Sequence, residues 1–209
     1  MTDFAVLIPV KSSGAKSRLS PILSRAERRE LESLLLSGVL EALGRAGLLS
    51  KTHVVSSDHE MLRLAARSGA GTVREARDDG VNAAVEAGVK ALGRPPKVLV
   101  LPSDLPLLRA SQLEHILSLS ELLQVVIAPS ASFNGTNALV FPPRVGMTLS
   151  YDNDSFWNHI RAGALLGLSL GVVSNPGLTF DLDSPEDLRS LARSRSDAPP
   201  VAFARRTAG

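Results

Sequence analysis

Lys11, Lys16 and Arg18 fall within eight residues, and Ser12, Ser13, Gly14 and Ala15 stand between the lysines. Three cations beside small residues with free backbone N–H groups suit a polyphosphate. The spacing is not that of the glycine-rich P-loop, which needs two glycines followed by Lys-Ser/Thr. Nor is it the three-glycine dinucleotide fingerprint. A solvated basic loop is the plain alternative. Position favours phosphate binding by Lys11, Lys16 and Arg18, because the loop follows directly on the apolar run Ala5–Val10. Backbone donors near Ser12–Ala15 would assist.

Asp104 follows a second apolar run, Val98–Leu101, and precedes Leu105-Pro106. A carboxylate there either caps the turn before Pro106 or holds a hard cation such as Mg²⁺, which takes carboxylate oxygens and substrate phosphates. Asp181 and Asp183 alternate about Leu182, so an extended backbone turns both to one face. Two neighbouring carboxylates repel unless a cation or proton stands between them. Asp183 also reads as part of the turn feeding the next helix. Asp104, Asp181 and Asp183 together make a set suited to one or two Mg²⁺ ions bridging a triphosphate.

Asp78-Asp79-Gly80-Val81-Asn82 leads into a helix, where acids either cap the first turn or meet a ligand. Asn134-Gly135-Thr136-Asn137 is a glycine turn whose side-chain donors suit an anionic acceptor. Ser155, near a helix start, offers its hydroxyl and free N–H groups to a phosphate. Of the four histidines, only His159, one helical turn beyond Ser155, lies near these candidates. No His pair has metal-ligand spacing, which argues against zinc, and with no Cys there is no thiolate nucleophile, no cysteine zinc site and no disulfide framework.

The elements that must position these residues follow a βαβα rhythm, the mark of a mostly parallel sheet. Expected strands are Ala5–Val10, His53–Ser56, Val98–Leu101, Val125–Ala128, Asn137–Phe141, Leu170–Val173 and a short Leu178–Leu182. Expected helices are Arg25–Leu43 with Ser24 as N-cap, Asp58–Arg67 stopped by Gly69, Val81–Leu92, Ser111–Leu119 and Asp154–Leu166. A last helix opens at Ser184-Pro185-Glu186-Asp187, with Ser as cap and Pro at its first position. In such a sheet ligands bind beyond the carboxyl ends of the strands, where the basic loop and Asp104 lie.

At 209 residues, 44% hydrophobic and 21% charged, the chain can bury a sizeable core. The expectation is one domain over 1–194 and a flexible tail over 195–209, where the composition turns polar and rich in Ala and Pro. No apolar run approaches the ~18 residues of a membrane span, and no signal-peptide pattern opens the chain, so the expected compartment is the cytoplasm. The net charge is +2 with acids and bases interspersed, which argues against a nucleic-acid partner. Leucine-rich helix faces make a homodimer the expected assembly.

The loop Ile8-Pro-Val-Lys-Ser-Ser-Gly-Ala-Lys-Ser-Arg-Leu-Ser-Pro21 resembles that of the 2-phospho-L-lactate guanylyltransferase family of coenzyme F-420 biosynthesis. The likeness continues in order through Asp79-Gly-Val-Asn82, Ser103-Asp-Leu-Pro-Leu-Leu108, Gly135-Thr-Asn-Ala-Leu139, Ser155-Phe with His159, and Asp181-Leu-Asp-Ser-Pro-Glu-Asp-Leu188. It implies a three-layer α/β/α nucleotidyltransferase fold, like that of nucleotide-diphospho-sugar transferases and related to molybdopterin-guanine dinucleotide synthesis enzymes. It also implies transfer of GMP from GTP to 2-phospho-L-lactate, phosphoenolpyruvate or 3-phospho-D-glycerate, with release of pyrophosphate.

On this resemblance Pro9, Lys11, Ser12, Ser13, Gly14, Lys16, Arg18, Gly80, Asn82, Ser103 and Asp104 bind the nucleotide. Lys11, Lys16, Arg18 and Asp104 carry the catalysis, and Asp104, Asp181 and Asp183 hold Mg²⁺. Gly135, Thr136, Asn137, Asp152 and Ser155 meet the phosphorylated acid. One departure stands out: the family usually carries Gly three residues before its Ser, where this chain has Asp152. The competing readings are a cytidylyl- or uridylyltransferase of another small phosphorylated metabolite and a non-catalytic nucleotide-binding protein.

Overall fold

The computed structural model describes residues 4–11 and 16–207. Seven strands form one sheet: β1 (Phe4–Pro9), β2 (Thr52–Ser56), β3 (Gly71–Arg74), β4 (Lys97–Val100), β5 (Val125–Pro129), β6 (Thr136–Phe141) and β7 (Leu170–Val172), in the order β3-β2-β1-β4-β6-β5-β7. All neighbours pair in parallel except β6, which runs antiparallel to both β4 and β5. That reversal matters for the site. The first residues of β6 reach the same sheet edge as the last residues of β1 and β4.

The helices are α1 (Arg25–Arg45), α2 (His59–Ser68), α3 (Val81–Ala91), α4 (Ala110–Leu122), α5 (Ser155–Leu165), α6 (Pro176–Thr179), α7 (Pro185–Ala192) and α8 (Pro199–Thr207). Side chains alternate across the strands and bury on both sheet faces. Val6, Ile8, Val54 and Leu99 pack with α1, α2 and α4. Leu7, Val55, Val98 and Val100 pack on the other face with Ala84, Val85 and Val89 of α3 and Phe156 of α5. The result is the expected three-layer α/β/α arrangement.

Local signals explain the helix starts. Ser24 and Glu27 form a reciprocal capping box on α1, and Ser184 with Asp187 form one on α7. Asp58 caps α2 by accepting the N–H groups of Glu60 and Met61, and Gly69 ends it in a left-handed conformation.

Three expectations fail. Leu178–Leu182 is not a strand: Asn175 accepts the Leu178 N–H, Pro176 occupies a first-turn position, and the chain makes the short helix α6 instead. The alternation persists in the irregular backbone beyond it, with Leu182 buried and Asp181 and Asp183 half-buried. The apolar pattern carries no sign of the edge strand β3, whose four residues follow Gly69 after a single residue, Ala70, and bury only partly. The segment from Arg195 is not a flexible tail through its described length. It forms α8, whose Val201, Phe203 and Ala204 are buried against α1 and α7 residues.

A third apolar cluster joins Leu31 and Leu35 of α1, Leu188 and Leu191 of α7, and Val201 and Phe203 of α8 to Leu19 and Leu182. Leu19 lies one residue beyond Arg18, and Leu182 separates the two C-terminal aspartates. This cluster anchors both sides of the candidate site from beneath.

Candidate functional site

The carboxyl ends of β1 and β4 deliver Lys11 and Asp104 to one sheet edge. The Leu182 N–H donates to the Asp104 carbonyl at 3.2 Å, which brings Asp181 and Asp183 alongside. Lys16, in a left-handed conformation (φ 57°), leads into a short 3-10 turn at Ser17–Leu19 and points its side chain inward. Its Nζ donates to Asp104 Oδ2 at 2.6 Å and to Asp183 Oδ1 at 2.9 Å, with the lysine side chain only 7% exposed. Arg18 Nη1 lies 3.8 Å from Asp183 Oδ2 with its side chain 77% exposed. Ser12, Ser13, Gly14 and Ala15 lie outside the described residues.

The electrostatics follow from this packing. Burial alone would lower the Lys16 ammonium, but Asp104 and Asp183 outweigh it and hold the group above the usual lysine range. Burial raises Asp183, yet Lys16 in contact and Arg18 and Lys11 nearby bring it below the usual carboxylate range. Asp181 goes the other way. Burial raises it, the charges on Asp104 and Asp183 add to the rise, and a 3.3 Å bond from Asn137 Nδ2 offsets only part.

A divalent cation fits this donor set. Among the described residues Asp104 Oδ1 is buried without a hydrogen-bond partner, and burial with the like charges of Asp104 and Asp183 disfavours the Asp181 carboxylate. Hard carboxylate oxygens suit Mg²⁺, which is commonly held by one or two carboxylates together with substrate phosphates. Among the described residues no three His, Cys, Asp or Glu side chains converge closely enough to hold a metal alone. Lys16 Nζ stands between Asp104 and Asp183.

Across from these charges, the start of β6 meets the start of α5. Ser155 Oγ donates to Thr136 Oγ1 at 3.2 Å, and His159 Nδ1 lies 3.0 Å from the same oxygen. The α5 N-terminus has no side-chain cap, and the Phe156 N–H donates to the Asn134 carbonyl at 3.4 Å, so it is the helix dipole that favours an anion at this corner. At Gly135 a Cβ would sit 3.0 Å from Ser130 Oγ, the atom its own N–H bonds, so a side chain there would press on that hydroxyl. Asn137 is buried and turns to Asp181 rather than to Thr136 and Ser155.

Asn82, expected in the nucleotide pocket, ties two loops together. Its Oδ1 accepts the Tyr151 N–H at 2.9 Å and its Nδ2 donates to Asp152 Oδ2 at 3.3 Å. Asp152 is exposed and held by this bond. Gly80 precedes α3 at φ 90°, a conformation costly for other residues, and donates its N–H to Asp78 Oδ1, so Asp78 acts as a turn cap. Asp79 pairs with Arg77 at 2.7 Å. Pro9 ends β1 and Ser103 lies in the loop after β4, both half-buried.

Sequence reasoning left two supports unassigned. Ser150 donates its N–H to His159 Nε2 at 3.1 Å; the i, i+4 spacing of Ser155 and His159 was the available signal. Arg29 grips Asp58 through both terminal nitrogens at 2.6 and 2.9 Å, and Ser56 Oγ donates to the Val10 carbonyl. These bonds brace the end of β1, from which the basic loop departs.

Residues 4–205 match the model of the family described as "Guanylyl transferase CofC like". The chain is 36% identical to a 3-phospho-D-glycerate guanylyltransferase of Phenylobacterium zucineum, over 90% of this chain and 89% of that one. It is 37% identical to a phosphoenolpyruvate guanylyltransferase of Rubrobacter xylanophilus, over 93% and 95%. A 2-phospho-L-lactate guanylyltransferase of Methanothermobacter thermautotrophicus is 34% identical, over 88% and 82%. Among solved structures, a nucleotidyl transferase of M. thermautotrophicus has TM-score 0.65 at 17% identity, covering 97% of this chain and 99% of that one, a likeness of fold. Sheet order, the charged edge of β1 and β4, and these relatives agree: the chain belongs to the CofC-like guanylyl transferase family and is a nucleotidyltransferase.

Proposed function

We propose that this protein transfers GMP from GTP to a small phosphorylated carboxylic acid and releases pyrophosphate, in coenzyme F-420 biosynthesis. The observation that carries this reading is the Lys16 Nζ bridge between Asp104 and Asp183, set at the same sheet edge as the hydrogen-bonded Thr136–Ser155 hydroxyls. One group is built for a polyphosphate with its metal, the other for an anion that must approach it. Relatives named for 2-phospho-L-lactate, phosphoenolpyruvate and 3-phospho-D-glycerate supply the acceptor class.

In this reading Lys11, Lys16 and Arg18 face the β- and γ-phosphates, aided by backbone donors of Ser12–Ala15. Asp104, Asp181 and Asp183 would hold Mg²⁺, which when bound polarises phosphoryl oxygens and neutralises charge on the leaving group. Thr136 and Ser155 hold the acceptor so that one of its phosphate oxygens faces the α-phosphorus of GTP. That oxygen forms the new P–O bond, and the bond from the α-phosphorus to its bridging oxygen breaks. Pyrophosphate departs with the electron pair, its charge met by the lysines. A phosphate acceptor is already ionised near neutral pH, so no general base is required. His159 has both ring nitrogens engaged and is not placed to serve as one.

GTP incubated with each of the three acids, with mass detection of the product and a pyrophosphate assay, tests the proposal. The expected result is a guanylylated acid from at least one of them. A clear preference for CTP or UTP over GTP, or tight GTP binding with no pyrophosphate from any acceptor, overturns it.

A further inference from the structure

Of the four histidines in this chain, only His159 is buried. Ser150 donates its backbone N–H to His159 Nε2 at 3.1 Å. An amide N–H cannot accept, so Nε2 carries a lone pair and the single proton of the neutral ring resides on Nδ1. Burial pushes the imidazole down to about 4, which keeps it neutral at working pH. The Nδ1–H therefore donates to Thr136 Oγ1 at 3.0 Å. Ser155 Oγ donates to the same oxygen at 3.2 Å.

A hydroxyl oxygen has two lone pairs and one proton. Both lone pairs of Thr136 Oγ1 are taken, and among the described residues no group receives its proton. We infer that His159 is a positioning residue, which through its Nδ1–H makes the Thr136 hydroxyl an obligatory donor toward the bound acceptor. The acceptor atom it meets must then be a hydrogen-bond acceptor, a phosphate or carboxylate oxygen. A substrate presenting an ammonium, a donor with no lone pair, as its only polar group at that point is refused, because the Thr136 oxygen has no lone pair left. The inference rests on the acceptor site proposed above at Thr136 and Ser155.

Two measurements test it. The first uses the unaltered protein labelled with ¹⁵N-histidine: two-bond ¹H–¹⁵N spectra between pH 6 and 8 report the tautomer directly. The Nδ1–H form is expected for His159, and an Nε2–H form or an imidazolium overturns the inference without any variant. The second compares His159→Asn, whose amide N–H replaces Nδ1–H, with His159→Gln and His159→Phe, which leave Thr136 without that donor.

Acceptor KM is expected to rise about tenfold in the Gln and Phe variants, the worth of one hydrogen bond, with GTP KM unmoved. The Asn variant is expected to stay within about threefold of wild type on the same scale. Equal damage in all three variants, or wild-type acceptor KM in a folded Phe variant, overturns it. Wild-type protein that shows Nδ1–H on His159 yet guanylylates no phosphorylated acid sinks the functional reading, and with it this role. The two failures are thereby told apart.

Discussion

The His159 ring meets the edge of Tyr151 at 4.8 Å between centroids, and burial is the only cause of its lowered pKa. Its folded value of about 4 lies below the 6.5 of an ordinary histidine. The neutral form is therefore fully accommodated above pH 6.5, and the unfolded chain takes up the proton first as pH falls. From this one residue the protein is expected to lose about 3 kcal/mol of stability between pH 6.5 and pH 4. Urea unfolding at several pH values checks this, since His159→Asn should lack that part of the acid sensitivity. An equal acid slope in the variant refutes it. At the charged edge, Asp104→Asn keeps the side chain's shape but removes half of the negative charge around Lys16 Nζ. Pyrophosphate release is expected to fall about 10²–10³-fold, the usual scale for losing one electrostatic contact to a transition state. Near-wild-type turnover would remove Asp104 from the site.

Helix α8 shows how an element far along the chain sustains residues it never touches chemically. Its Phe203 is 1% exposed and shares a cluster with Leu19 and Leu182, the residues that hold Arg18 and the Asp181–Asp183 pair in place. Phe203→Ala is expected to cost about 3–5 kcal/mol of stability. It should also weaken GTP binding measured well below the new Tm, because the cavity opens under both flanks of the site. Unchanged GTP affinity in the folded variant would separate α8 from the site. The polar, proline-bearing run from Arg195 to Pro199 obscured this helix in the sequence, where Pro200, Val201, Phe203 and Ala204 mark the buried face. Leu178–Leu182 misled in the opposite direction: its apolar alternation read as a strand, while Asn175 and Pro176 were already the cap and first turn of α6. The strong elements, β1, β4 and α1, were legible because long apolar runs and a capping box agree there. Short segments between them depend on tertiary partners that no local pattern records.

At the scale of the molecule, the sequence located Lys16, Asp104 and Asp183 on separate elements, but not that a lysine would bridge the carboxylates. The 88 and 167 residues separating these partners exceed any local pattern. That bridge dictates how the fold answers its ligands. Lys16 already pairs with both Asp104 and Asp183, so a divalent cation offered alone would have to displace a buried ammonium and would gain little. On the proposed reading GTP would supply a competing anion for Lys16 along with phosphate oxygens for the metal, and would span the ends of β1 and β4 and the Asp181–Asp183 segment at once. Mg²⁺ with GTP at about 100 times its Kd is expected to stabilise the protein by about 2.7 kcal/mol. In a chain of this size that is roughly 5–10 °C in Tm. Mg²⁺ alone, or GTP with excess EDTA, should give only a small fraction of that rise. Lys16→Met reverses part of the pattern, since the unpaired carboxylates make the free protein less stable and more responsive to Mg²⁺ alone. Thermal unfolding across these four conditions decides the matter: an equal rise with Mg²⁺ alone in the wild-type protein would mean that Lys16 does not hold the cation's place.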